Sequence, residues 1–406
     1  MHQYFLEEND AGSSRFNQFA KFWTKRGHIV TIIAGTVHYI TGKKDKEYKG
    51  KWIVSKNQGR NVIVHRTYVS SSYNKGFLGR FWAYITFMVS SCWAGIFLAK
   101  RQDLIIATSP PLLAGISGMI ISYFKKIPLV FEVRDLWPES AIDMGILRSK
   151  ILIRLSFWLE RLIYQRSAKI NVLTPAFKQR LVEVKHISPN KISIVPNGAD
   201  LDIFKPMNEN NWVRKKYDFK NKFVVMYMGA HGVANGLSLF VDAAKALEKY
   251  EDIVFMLVGD GMEKPKLKER ASKYNLKNLI FVDSQPKSKI VDYCVAADVC
   301  CAILKKVETF KTVYPNKIFD YMACAKPIII AIDGVARELI ERAKAGIYVE
   351  PENVTEFVNA VLKLYNDRNS CAEYGENGFK FVKRYYSREK LAQEYERILE
   401  ELMANE

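Results

Sequence analysis

Lys317 and Asp320 stand three residues apart in the stretch TVYPNKIFDYMACAKPIII, residues 312–330. On a helix that spacing makes them surface neighbours. A lysine beside the unpaired N–H groups of a helix start is a place for phosphate. An aspartate one turn further on can accept hydrogen bonds from ribose hydroxyls. The same pattern also describes an ordinary amphipathic helix with a solvated ion pair, and the residue types alone leave both readings open. A second phosphate-type element is the turn after FVVMYMG (223–229), in which Gly229, His231, Gly232, Asn235 and Gly236 lie between a strand and a helix. Backbone N–H groups in such glycine-rich turns cradle anions. The spacing is not GxGxxG, so nicotinamide binding is disfavoured. Asp135, in EVRDLWPES (132–140), follows another apolar run; it suits either a sugar hydroxyl or a helix N-cap.

These residues need a scaffold that ends strands beside helix starts. Pro315 can open a helix at its first position, Lys326-Pro327 ends it, and Ile328-Ile329-Ile330-Ala331 reads as a strand buried on both faces. Comparable runs recur at 28–33, 61–68, 104–108, 127–133, 168–174, 192–197, 223–229, 255–261, 279–282, 299–304 and 346–349, separated by helical stretches. Such alternation predicts parallel, doubly wound α/β sheets with ligands at the strands' carboxyl ends. MHQYF reads as the tail of a first strand and 14–26 as a helix closed by Gly27. His28 is read as a structural histidine. The lysine-rich segment 43–60 is expected to be a loop, either solvated or touching anionic lipid. Residues 81–99 carry no charge and reach membrane-spanning length. The strands on either side must share a sheet, however, so the segment is expected to be buried or to lie in a membrane interface. Helix 148–166 offers an apolar face and a basic one.

At 406 residues two domains are expected, and 49% hydrophobic residues exclude disorder. Six cysteines without CxxC spacing point to reduced thiols and a cytoplasmic site; six histidines without an HxxxH pair suggest no zinc site. No export signal or repeat is apparent. The net charge of +18 is uneven: residues 1–206 hold 30 Lys/Arg against 14 Asp/Glu, residues 207–406 hold 31 against 29. The basic half is expected to face something anionic: a membrane, a pyrophosphate-bearing substrate or nucleic acid.

Residues 132–140, 196–204, 229–237, 259–267 and 312–331 together resemble the family 4 retaining glycosyltransferases, most closely the L-fucosamine transferase-like branch. The resemblance implies the GT-B fold, two Rossmann-like domains facing a cleft. An acceptor domain at 1–205 would be followed by a nucleotide-sugar domain at 206–387, with helix 388–406 packing back on the first. It implies a UDP-sugar donor held by Gly229, His231, Gly232, Asn235, Gly236, Gly261, Thr312, Val313, Tyr314 and Asn316, with Asp320 on the ribose. The family has a glutamate where Thr312 stands, and an arginine and a lysine in the turn that here offers His231 and Asn235. Lys264 and Lys317 are therefore the candidates for the diphosphate, with Asp135 as a third catalytic candidate on the sugar. Gly12, Ser13 and Ser14 match the family's glycine-rich loop near donor or acceptor, and Asn197 lies in the PNG turn joining the halves. Related chains carry a few more apolar residues ahead of this start, so the first strand is either short or begins upstream. The expected activity is metal-independent transfer with retention to a lipid-pyrophosphate-linked acceptor, by a cytoplasmic enzyme peripheral to the cell membrane, in surface polysaccharide synthesis. The rivals are a GT-B nucleotide-sugar epimerase or hydrolase, and a non-catalytic basic nucleic-acid-binding protein.

Overall fold

The computed structural model describes the chain except residues 8–14, 38–41, 43, 45, 60, 75, 209–210 and 406, and the side chains of 74 and 77. By its contacts the chain divides into two units. One takes the described residues of 1–6, 14–196 and 391–406, the other those of 7–13 and 197–390. The division lies inside the PNG turn, nine residues ahead of the boundary read from the sequence, because Ala199 and Phe204 are buried in the second unit's core.

In the second unit β8 (Phe223–Met228), β9 (Ile253–Val258), β10 (Leu279–Val282), β11 (Val299–Ile303), β12 (Ile328–Ala331) and β13 (Gly346–Tyr348) form one parallel sheet. Its order is β10-β9-β8-β11-β12-β13. Every residue of β8, β9, β11 and β12 is buried. That explains why their sequences are continuous apolar runs: helices cover both faces. The strand order reverses between β8 and β11, the topological switch point of a doubly wound sheet.

The first unit is built from β1 (Val30–Gly35), β2 (Ile53–Asn57), β3 (Val62–Thr67), β4 (Ile105–Ser109), β5 (Leu129–Val133), β6 (Lys169–Val172) and β7 (Ile192–Ile194). They form two separate sheets, β1-β3-β2 and β4-β5-β6-β7, with all pairings parallel except β2 on β3. The segment expected to be a lysine-rich loop thus contributes an edge strand. Ile53 and Val54 favour it, and an outer edge accepts lysine well; Lys56 reaches the Glu47 carboxylate at 2.6 Å. The closing helix Arg388–Ala404 returns to this unit, where Tyr395 packs on Phe19 and Trp23, and the Trp23 indole N–H donates to the Ala392 carbonyl at 3.0 Å. His28 lies 2.7 Å from a Glu396 carboxylate oxygen.

Residues 81–99 fall in a helix, Gly76–Trp93, that runs on through a π-turn, Ala94–Leu98. Ala83, Phe87 and Ala94 are fully buried, whereas Leu78, Trp82 and Phe97 are mostly exposed. The segment is therefore anchored along one side and offers apolar side chains along the other. The basic helix Lys150–Arg166 repeats this: Ile151, Leu155 and Trp158 form an exposed stripe at helical spacing, with Lys150, Arg154 and Arg161 also exposed.

Candidate functional site

β8 and β11 pair only through Val225–Val299 and Met226–Cys300; beyond that they part. Tyr321, from the helix Asn316–Ala323, fills the fork. Its hydroxyl accepts the Met228 N–H at 3.0 Å and donates to the Cys301 carbonyl at 3.3 Å. Connections leaving β8, β9 and β11 converge there. A Cβ on Gly259 would sit 1.9 Å from the Gly229 carbonyl oxygen, and both residues have positive φ, +145° and +136°. Only glycine tolerates this combination of dihedral and approach. The His231 N–H donates to the Asp260 carbonyl at 2.8 Å, and the Glu263 N–H to the His231 carbonyl at 3.0 Å. A Cβ on Gly261 would press on that same His231 carbonyl, at 2.4 Å. The third connection joins through the Lys305 N–H, which donates to the Ala234 carbonyl at 2.9 Å. Gly236, at φ +55°, lies against Lys305.

Lys317 enters this cluster from the first turn of its helix. Its ammonium lies 3.6 Å from the centroid of the Tyr227 ring, which is held by a 2.9 Å bond from its hydroxyl to the Ala230 carbonyl. Burial pushes the Lys317 pKa down to about 7; the π face beneath it favours the charged form. A Cβ on Gly229 would come within 3.0 Å of the Lys317 Nζ, so bare backbone lets the lysine lie against the turn. Asp320 has different neighbours. Burial raises its pKa to about 7, although Arg388 and Lys287 favour its charged form. Burial, and then Lys264, lower the His231 pKa to about 4, leaving the ring neutral at pH 7.

The region also holds buried polar atoms that the fold leaves unbonded. Asp320 Oδ1, Asn316 Oδ1 and both ring nitrogens of His231 are buried without a hydrogen-bond partner. Buried polar atoms are nearly always bonded, so these are groups able to bond a ligand after the fold's own bonds are made. Together with Lys317 they present a cation, neutral donors and acceptors, and one acid beside a helix start.

The other sequence-predicted residues divide. Lys264 is tied up: its ammonium contacts the carbonyls of Gly259 at 2.8 Å and Val282 at 3.3 Å, and the carboxylates of Asp260 at 2.8 Å and Asp283 at 2.6 Å. Burial opposes its charge, but the two aspartates raise its pKa overall. Asn235 closes its own turn, its side-chain oxygen accepting the Gly232 N–H at 3.3 Å. The Thr312 hydroxyl donates to the Thr309 carbonyl at 2.6 Å; Val313 follows that turn and Tyr314 packs edge-on against Phe319. Pro315 is the cap before the helix rather than its first residue. Asp135 belongs to the first unit, where it accepts the Ser140 hydroxyl at 3.1 Å; burial raises its pKa. It caps no helix, since the next one starts at Glu139 with Pro138 before it. Asn197 opens the second unit, buried, with Oδ1 unbonded. Gly12, Ser13 and Ser14 lie outside the described residues. The chain does contain one Asp-x-Asp, Asp200-Leu201-Asp202, but Asp200 is buried, paired with Lys287 at 3.4 Å and bonded to the Asp202 N–H. Tyr227 and Tyr321 went unnoticed in the sequence, because a tyrosine in an apolar run reads as core.

Two family models match the chain, "Glycosyl transferase 4-like domain" over residues 12–198 and "Glycosyl transferases group 1" over residues 208–381. The chain belongs to the GT-B glycosyltransferases. An uncharacterized glycosyltransferase of Methanocaldococcus jannaschii is 24% identical to it over 63% of the chain, which takes in 65% of that relative's length, just under two thirds. The Escherichia coli UDP-Gal:alpha-D-GlcNAc-diphosphoundecaprenol alpha-1,3-galactosyltransferase is 26% identical over 71% of the chain and 74% of its own length. Among solved GT-B folds, Anabaena HepE in complex with UDP-glucose matches 98% of this glycosyltransferase and 99% of its own chain, with a TM-score of 0.72 at 17% identity.

Proposed function

We propose that this glycosyltransferase moves a sugar from a UDP-sugar to a lipid-pyrophosphate-linked acceptor, with retention at the anomeric carbon, in surface polysaccharide assembly. The observation that carries the donor reading is the set of unbonded buried polar atoms around Lys317 at the switch point. The Lys317 ammonium and the N–H groups that open the 316–323 helix take the diphosphate, and Asp320 takes the pentose. A relative named for UDP-galactose and diphosphoundecaprenol, and a fold neighbour solved with UDP-glucose, agree with that donor and acceptor class. Within the family we place the chain beside the L-fucosamine transferase-like branch, on its DLWP element and on Asp320.

The acceptor oxygen bonds to the anomeric carbon on the face from which the diphosphate leaves. The carbon–oxygen bond to phosphate breaks with its electron pair passing to the phosphate, which then takes the acceptor's proton. Lys317 stabilises the charge that develops on the leaving group, and a fixed cation in a site shielded from water acts strongly. Asp135 orients a sugar hydroxyl, and Lys264 holds the β9 connection rigid instead of touching phosphate. The reaction needs no metal in this reading, because a lysine and helix-start amides supply the positive field; turnover unchanged by EDTA is expected.

We place the acceptor's membrane at the exposed apolar side of the 76–98 segment and the Ile151-Leu155-Trp158 stripe with its basic neighbours. This makes the enzyme peripheral on the cytoplasmic face. Titration calorimetry with UDP tests the donor reading: binding that is lost in Lys317→Ala supports it, and no measurable UDP affinity in the wild type overturns it.

A further inference from the structure

The glycine turn 229–236 has a lysine against each of its ends. At the start, a Cβ on Gly229 would lie 3.0 Å from the Lys317 Nζ; at the finish, a Cβ on Gly236 would lie 3.3 Å from the Lys305 Cγ. Gly236 is left-handed, at φ +55°, and its lack of a side chain lets the Lys305 stem lie along the turn. Lys305 is distant from the turn in sequence and reaches it from the carboxyl end of β11. That is one side of the switch point between β8 and β11, where a doubly wound sheet takes its ligand.

The connection that carries Lys305 is fixed at both ends. The Lys305 N–H donates to the Ala234 carbonyl at 2.9 Å. The Lys311 carbonyl lies against Gly334, where a Cβ would come 2.1 Å from its oxygen. Two of the three lysines on this connection have carboxylate partners: Lys306 reaches Glu350 at 2.7 Å, and Lys311 reaches Glu308 at 2.7 Å. Lys305 differs. It is half-buried and, among the described residues, its ammonium has no carboxylate partner.

Charge at the turn leaves a place for it. Each phosphate of a diphosphate bears negative charge at neutral pH, and Lys317 supplies a single cation. Lys264 adds none, because Asp260 and Asp283 both hold its ammonium. His231, with both ring nitrogens buried and unbonded, is neutral at pH 7 and offers a hydrogen bond without charge. One phosphate thus remains without a cation from these three residues.

We propose that Lys305 is a second cation of the donor site, lying along the glycine turn at the end opposite Lys317 and holding the phosphate bonded to the transferred sugar. The order of the donor's parts follows the order of the side chains. Asp320 takes the pentose, Lys317 one helical turn away takes the nearer phosphate, and Lys305 on a separate connection takes the farther one. The pinned connection holds this cation in place before the donor arrives, so little reorganisation is needed as charge develops on the leaving group. The inference rests on the donor reading, and its test separates the failure of one from the failure of the other.

Titration calorimetry on the full chain compares UDP with UMP, which lacks the farther phosphate. Lys305→Gln is expected to weaken UDP binding about tenfold and to leave UMP binding unchanged. Lys306→Gln removes the same charge from a lysine already held by Glu350, and should alter neither. Lys305→Arg, which keeps the charge, should retain UDP binding. Wild-type UDP affinity in Lys305→Gln overturns the proposal, and so does an equal loss for UMP or an equal loss in Lys306→Gln. No UDP affinity in the wild type overturns the donor reading itself, and the second cation falls with it.

Discussion

The second unit gathers six parallel strands into one sheet, and unbonded buried atoms of His231, Asn316 and Asp320 belong to elements next to the point where the strand order reverses. The first unit spreads seven strands over two sheets with a cavity at the seam, and its conspicuous surplus is apolar and exposed, on the 76–98 segment and the 150–166 helix. Charge follows the same division, with nearly all of the excess of Lys and Arg in residues 1–206. On the function proposed above, two halves of one wound architecture are turned to different partners: the first offers its surface to something large, anionic and apolar, and the second offers its strand ends to something small and polar.

The sharpest way to break this comparison is to remove the cation of the second unit. Lys317→Ala is expected to lower turnover about 100-fold or more, as loss of one charge-stabilising group does. Its Tm should not fall, because burying this ammonium opposes folding and it rests on a ring face instead of in an ion pair. Steady-state kinetics with a UDP-sugar donor, beside a melting curve, separates the two quantities. Near-wild-type turnover would remove Lys317 from the chemistry and leave the unit with no charged group for the diphosphate among those the sequence proposed, since Lys264 is bonded to four protein oxygens.

The fork between β8 and β11 offers the next test. Tyr321→Phe removes the hydroxyl that satisfies the Met228 N–H and the Cys301 carbonyl. Two orphaned backbone groups should cost about 2 kcal/mol, which lowers Tm by about 4–8 °C in a unit of this size. A melting curve identical to wild type would show that the fork is held by something else.

Much of the second unit was legible because buried parallel strands carry an unbroken apolar signal. The runs at 223–229, 279–282, 299–304 and 328–331 fall on β8, β10, β11 and β12 within a residue. The glycine turn and Lys317 could also be found, since glycine spacing and a lysine after proline are local features. What escaped depends on pairing across the chain. The engagement of Lys264 requires Asp283, nineteen residues away, to come within 2.6 Å. Tyr321 has the sequence setting of a core residue. β2 hid behind its lysines, because an edge strand may be polar where a central strand may not. The split of the first unit's strands into two sheets could not be read either, because the runs at 28–33 and 104–108 look the same with or without a neighbour.

For the first unit, charge and apolar surface can be varied apart from the fold. Lys150→Gln with Arg154→Gln removes two exposed cations from the 150–166 helix. At about 1 kcal/mol for each basic residue near an anionic surface, vesicle binding should weaken roughly tenfold or more. Flotation with phosphatidylserine-containing vesicles at low salt measures this, and the melting curve should be unchanged because neither residue is buried. Equal flotation of wild type and double variant would move the membrane contact elsewhere, and no flotation of the wild type would remove it from the first unit altogether.

The smallest expected effect is a pH dependence, and its sign follows from Lys317. Buried, this lysine titrates at about 7 in place of its ordinary 10.5. The folded unit therefore holds fewer protons than the unfolded chain between those values, and this group's penalty on stability is complete below pH 7 and fades as pH rises toward 10.5. Binding works in the opposite direction. A diphosphate beside the ammonium favours its charged form and raises its pKa again, so above pH 7 each binding event takes up a proton, and affinity falls as pH rises. Between pH 7 and pH 8 the protonated share of a group titrating at about 7 drops by about fivefold, and the UDP association constant should drop with it. Calorimetry in two buffers of different ionisation enthalpy detects the proton taken up. Asp320 titrates in the same range, pushed up to about 7, and Lys317→Gln distinguishes the two: if the lysine carries the effect, that variant binds weakly with a flat profile from pH 7 to 8. A wild-type profile that is flat, or that rises with pH, would show that the ammonium stays charged throughout, held so by the Tyr227 ring beneath it.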